Sequence, residues 1–90
     1  MTTSTTHGHA TFTRVNATDL KLFRVNAGVP VEDALEMVSL LQHHANQLNF
    51  DAAMSDNGER FSWPALYLGE MAKALIDDIH DTLFLARADA

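Results

Sequence analysis

The sequence predicts an all-α protein: an antiparallel two-helix hairpin with an extended N-terminal arm, two copies packing as a four-helix bundle. Three observations predict it. Two amphipathic segments of nearly equal length run from about Val31 to Ser55 and from about Trp63 to Arg87. One short turn, Asp56-Asn57-Gly58-Glu59, joins them, and so short a connection makes helices antiparallel neighbours. Each apolar stripe is broader than one neighbouring helix covers, so a second contact is expected.

The elements follow in chain order. Residues 1–10 are Thr, Ser, Gly and His with little to bury, which predicts a disordered polar tail. Residues 11–29 form the arm. Arg14-Val15-Asn16-Ala17 echoes as Arg24-Val25-Asn26-Ala27, and two short strands about Asn16-Ala17-Thr18-Asp19 would make a hairpin or an arm. One echo does not make a repeat protein. The helical hairpin domain spans residues 30–90. Pro30 suits a first helical position, where its missing N–H costs nothing, and Glu32 and Asp33 favour the positive end of the helix dipole. Ala34, Val38, Leu41, Ala45, Leu48 and Ala52 then share one face, widened by Met37 and Leu40. Asn57-Gly58 suits a left-handed helix end. Ser62 reads as the second N-cap, Phe61 and Leu66 as a hydrophobic staple, and Pro64 as a first-turn residue. Leu68, Met71, Ala72, Leu75, Ile79, Leu83 and Ala86 complete the second stripe.

Ninety residues make one domain with a marginal core. Six basic against 12 acidic residues, net −6, oppose a phosphate-backbone binder, so no nucleic-acid partner is expected. There is no cysteine and hence no disulfide or thiolate. No signal peptide or membrane-length apolar run is evident, which makes cytoplasmic the default location with no membrane partner.

No reaction chemistry is specified. Asp77 and His80 stand at the i, i+3 spacing of bundle metal sites, with Glu36 as a conceivable extra ligand. They point away from the apolar stripe, together with Glu70 and Lys73, so Asp77-Asp78-Ile79-His80-Asp81 reads as a solvated acidic face. His43 and His44 diverge by about 100° and cannot share one compact site on a helix. At an interface edge His44 would make association pH-sensitive. His7-Gly8-His9 could hold a metal loosely, but tail composition explains it better. Phe61, Trp63 and Tyr67 could line a small pocket near the turn; packing over the helix ends is the plainer account. Met37, Met54 and Met71 read as gap-filling core. No serine stands in a nucleophile elbow, no phosphate-loop motif occurs, and these long, equal helices are poor candidates for a DNA-reading helix-turn-helix.

The chain resembles a family of short bacterial proteins, mainly from pseudomonads, known only as a domain of unknown function. Leu22-Phe23-Arg24-Val25-Asn26-Ala27-Gly28-Val29-Pro30 with Asp33-Ala34-Leu35 carries the resemblance. Asp56-Asn57-Gly58-Glu59-Arg60-Phe61-Ser62-Trp63 and Tyr67-Leu68 with Glu70-Met71-Ala72-Lys73-Ala74-Leu75 complete it, from about Leu20 to Phe84. The resemblance implies no activity, cofactor or catalytic residue.

The expectation is therefore a non-enzymatic, cofactor-free, homodimeric protein–protein interaction module, an adaptor or regulator. Its interface would use Met37, Val38, Leu40, Leu41, His44 and Leu48 of the first helix. Phe61, Trp63, Leu68, Leu75 and Ile79 of the second would meet them. The alternative is a helical protein that binds a small molecule or a metal.

Overall fold

The computed structural model describes residues 4–15 and 17–88. Two short strands, β1 (Thr11–Arg14) and β2 (Lys21–Arg24), precede two helices, α1 (Val31–Ala53) and α2 (Glu59–Ala88). The antiparallel helical hairpin is as the periodicity predicts; the two-stranded sheet gives the arm its form.

The arm is a hairpin that continues beyond its regular strands. β1 and β2 pair antiparallel, Thr11 with Arg24, Phe12 with Phe23 and Arg14 with Lys21. The same register runs outward through Val25 N–H to the Ala10 carbonyl, Thr6 N–H to the Val29 carbonyl, a Thr5–Pro30 bridge and Val31 N–H to the Ser4 carbonyl. Residues 4–14 and 21–31 thus make one antiparallel ribbon. The disordered tail expected for residues 1–10 is corrected for residues 4–10; residues 1–3 lie outside the described residues. Polar composition speaks to side-chain burial, and this segment is held by its backbone. The four-residue echo is not a structural repeat. Val25 is buried in the ribbon, while the Val15 N–H closes the turn onto the Leu20 carbonyl; Asn16 lies outside the described residues.

Pro30 precedes the first turn of α1 and Glu32 and Asp33 sit in that turn, as the sequence predicts. The second helix differs. It begins at Glu59, and the Gly58 carbonyl accepts both the Ser62 N–H and the Ser62 hydroxyl. Ser62 is therefore inside the helix rather than its cap, the Phe61–Leu66 staple has no helix end to brace, and Pro64 sits one turn inside. Gly58 serves close packing. A Cβ there would lie 2.9 Å from the Ala52 carbonyl oxygen. Positive φ occurs instead at Gly8, Thr13 and Gly28 among the described residues.

The core is small. Val31, Ala34 and Ile79 are buried together, with Val29, Val38 and Leu75 packed against them. Leu41, Ala45, Ala65 and Ala72 continue the seam between the helices. Ala74 is buried too, although at 100° per residue it points away from the seam. It lines a groove with Thr11–Arg14, so the ribbon packs against α2. The molecule measures 52 × 29 × 17 Å, thicker in its thin direction than one helix of about 10–12 Å.

Candidate functional site

Domains ordinarily pack two layers to bury their apolar faces. Leu41 and Ile79, expected in a dimer seam, are buried within the chain's own hairpin. Val38 and Leu75 pack on the same internal cluster, and Leu48, Phe61 and Leu68 are half-buried. Within one chain Leu41, Ile79, Val38 and Leu75 thus already pack in the hairpin. Each stripe turns its centre to the neighbouring helix and leaves its flank outside. On that flank Met37 and Leu40 are each 48% exposed, and His44 is exposed.

Antiparallel packing decides which flanks coincide. With Ala34, Leu41 and Ala45 facing Leu68, Ala72 and Ile79, the rotation of 100° per residue puts Met37, Leu40 and His44 on the same side of the layer as Tyr67 and Met71. Tyr67 and Met71 are exposed as well. Met37, Met54 and Met71 are thus surface residues rather than gap-fillers. Trp63 does not close over the helix ends. It is 53% exposed, its Nε1–H reaches a Glu59 carboxylate oxygen at 3.4 Å, and its ring lies 6.4 Å from that of Tyr67.

The most constrained polar group is Asp78, a residue that the sequence places in a solvated acidic face. It is 0% exposed. One carboxylate oxygen accepts the N–H groups of His7 and Gly8 at 2.7 and 3.2 Å; the other accepts those of His9 and Ala10 at 2.7 and 3.0 Å. Successive N–H groups about a left-handed residue form an anion-binding nest, and Gly8 supplies that residue with φ 79°. Burial pushes the Asp78 carboxyl up, and the four N–H donors outweigh it, leaving the pKa below its ordinary value. One turn on, the Thr82 hydroxyl donates to the Thr5 carbonyl at 2.8 Å. The buried Thr6 hydroxyl donates to the Asn26 carbonyl and accepts the Val29 N–H. Asp78 and Thr82 together clasp the ribbon to α2. Their spacing of four residues puts them on one side of the helix, with Met71 rather than with Asp77 and His80.

The solvated reading holds for those two. Asp77 is paired with Lys73, whose Nζ donates to both carboxylate oxygens at 2.6 and 2.7 Å in the open. His80 Nδ1 lies 3.8 Å from Asp81 on an exposed surface. Among the described residues no group of three or more His, Cys, Asp or Glu side chains is placed to hold a metal ion. None of the helices is long and apolar enough to cross a membrane, again among the described residues. The groove between β1 and α2 has a volume of about 770 Å³ and is lined by residues including Phe12, Arg14, Leu66 and Lys73.

No curated protein and no solved structure matches the chain. A family model described as a protein of unknown function (DUF3077) matches residues 6–82, a span that takes in most of the ribbon, all of α1, and α2 as far as Thr82. The chain belongs to the DUF3077 family.

Proposed function

We propose that the protein is a non-enzymatic, self-associating protein–protein interaction module. The observation that carries this reading is the exposure of four apolar side chains, Met37, Leu40, Tyr67 and Met71, on one side of the helix pair. Two scale arguments support it. The chain exposes 6732 Å², against roughly 5,200 Å² for a compact monomer of its mass. Its radius of gyration is 15.4 Å, against about 12 Å for a compact chain of this length. The surplus of roughly 1,500 Å² is of the order that one subunit gives up in a stable interface, about 800 Å² or more. The exposed residues are the aromatic and methionine types enriched in interfaces. Native mass spectrometry of the chain and of its Leu40→Glu variant tests the reading. A ligand-free dimer that Leu40→Glu converts to monomer supports it; a wild-type monomer at every concentration overturns it.

The groove between β1 and α2 favours a second reading, binding of a small molecule, because its volume lies within the range of ligand pockets. A metabolite that survives purification and is lost in a Leu66→Arg variant would support that reading. A protein that purifies empty and binds nothing in a metabolite screen would remove it.

A further inference from the structure

The groove between β1 and α2 gathers three features that each destabilise the fold where they stand. The first is Gly69, inside α2. Glycine in a helix interior is less stable than alanine, and close packing does not explain it, since a Cβ there would meet no atom within 4 Å. Gly69 lines the groove, so its missing side chain keeps space open. The second is Thr13. A β-branched residue at φ 65° is strained. No bulge accounts for it, because Phe12 pairs with Phe23 and Arg14 with Lys21 in one continuous register. A regular strand turns alternate residues to one side, whereas all four of Thr11–Arg14 line the groove. The third is Arg14 opposite Lys21. Cross-strand partners share a face, and like charges directly opposite repel; both line the groove as well. Local rules broken together at one place are expected at functional sites.

The lining defines what would fit. From Ser62 to Asp77 the helix wall is one stripe at spacings of three and four, and fifteen rises of about 1.5 Å make it about 22 Å long. Phe12, Ala65, Leu66 and Ala74 supply apolar surface along it. The charges divide by wall. On the helix wall Lys73 is taken up by Asp77, whose two carboxylate oxygens it holds at 2.6 and 2.7 Å, and Glu70 adds a negative charge. On the strand wall Arg14 and Lys21 stand together. Arg14 reaches Asp19 at 3.3 Å through one nitrogen, and Lys21 makes no ion pair among the described residues. An anion between Arg14 and Lys21 would replace their repulsion with charge-assisted hydrogen bonds to both. Glu70 and Asp77 direct it to the strand wall.

We propose that the groove binds a small elongated molecule with an apolar chain and an anionic head. The head sits between Arg14 and Lys21, and the chain runs along Phe12, Leu66 and the space over Gly69. This rests on the small-molecule reading of the groove given above and adds the class of ligand.

The test is titration of the full chain with decanoate, followed by calorimetry and amide NMR shifts. Decanol serves as the neutral chain and inorganic phosphate as the bare anion. Decanoate is expected to bind with a Kd of about 1 mM or tighter and to shift the amides of residues 11–14 and 65–74. It should bind about tenfold tighter than decanol or phosphate. Lys21→Gln is expected to weaken it about three- to tenfold, Lys21→Arg to hold it within about threefold, and Glu70→Gln to tighten it. Gly69→Leu separates binding from folding. It should raise the melting temperature, as a better helix former, and weaken decanoate about tenfold or more. A merely structural role would not move the two in opposite directions. Decanol binding as tightly as decanoate at these amides overturns the anionic head and leaves the small-molecule reading standing. Decanoate affinity unchanged in both Lys21→Gln and Gly69→Leu overturns the site. No decanoate binding overturns the proposal, and a metabolite screen that also finds nothing removes the small-molecule reading with it.

Discussion

Asp78→Ala removes the acceptor shared by the backbone N–H groups of His7, Gly8, His9 and Ala10. Each such bond contributes about 1 kcal/mol net, and more with a charged acceptor, so four place the loss at roughly 4 kcal/mol or above. The ribbon can peel away and give those groups to water, which caps the loss at the free energy of docking it. We therefore expect a loss of roughly 3–5 kcal/mol, a large share of the stability of a small domain. Urea unfolding followed by far-UV circular dichroism gives the free energy, and amide hydrogen exchange at residues 7–10 gives the local effect. The neighbouring Asp77→Asn is the control. It breaks an exposed pair with Lys73 and should cost under about 1 kcal/mol. A loss below about 1 kcal/mol for Asp78→Ala, with residues 7–10 still protected from exchange, would refute the clasp.

Acid should act through the same carboxylate. Its folded pKa lies below the ordinary value, so its contribution is complete above the unfolded value near 4 and is lost as pH falls through the lower folded one. Unfolding midpoints measured from neutral pH downward should decline below about pH 4, less steeply in Asp78→Asn. Gly8→Ala should lose about 1–3 kcal/mol in the same urea assay, since a Cβ there combines φ 79° with a 3.0 Å approach to the Ala27 Cβ. Thr13 is a β-branched residue at φ 65°, so thermal melting should show Thr13→Gly as stable as wild type or up to about 1 kcal/mol more stable. Thr82→Val removes the hydroxyl that holds the Thr5 carbonyl and should cost about 1–2 kcal/mol, with faster exchange across residues 5–10.

The helical part of the fold was legible because periodicity is a local signal. Ala34, Leu41 and Ala45 recur at helical spacing and are the buried side of α1. The turn Asp56-Asn57-Gly58-Glu59 separates the helices, although Gly58 is needed for its closeness to Ala52 rather than for a left-handed bend. The clasp was not legible, because its partners are about 70 positions apart and the donors are backbone N–H groups, which no side-chain pattern reports. Asp78 carried one faint sign. It shares a helix side with Met71, Leu75 and Thr82, whereas Asp77 and His80 do not. For the interface, the stripes identified apolar positions without dividing them between two kinds of neighbour. Leu41 and Ile79 went to the chain's own seam, and Met37 and Leu40 stayed outside, because stripe width sets the number of contacts and not their order. The function was not legible, because no residue pattern specifies a reaction or a partner.

Closure of the exposed Met37, Leu40, Tyr67 and Met71 side chains by a second copy of the chain is the central claim. Sedimentation equilibrium of the unmodified chain from hundreds of micromolar down to below micromolar tests it most directly. The account predicts a single dimer–monomer equilibrium with a limiting mass twice the 9.9 kDa of one chain. A 9.9 kDa species at every concentration, with Met37, Leu40, Tyr67 and Met71 open to solvent, would contradict it.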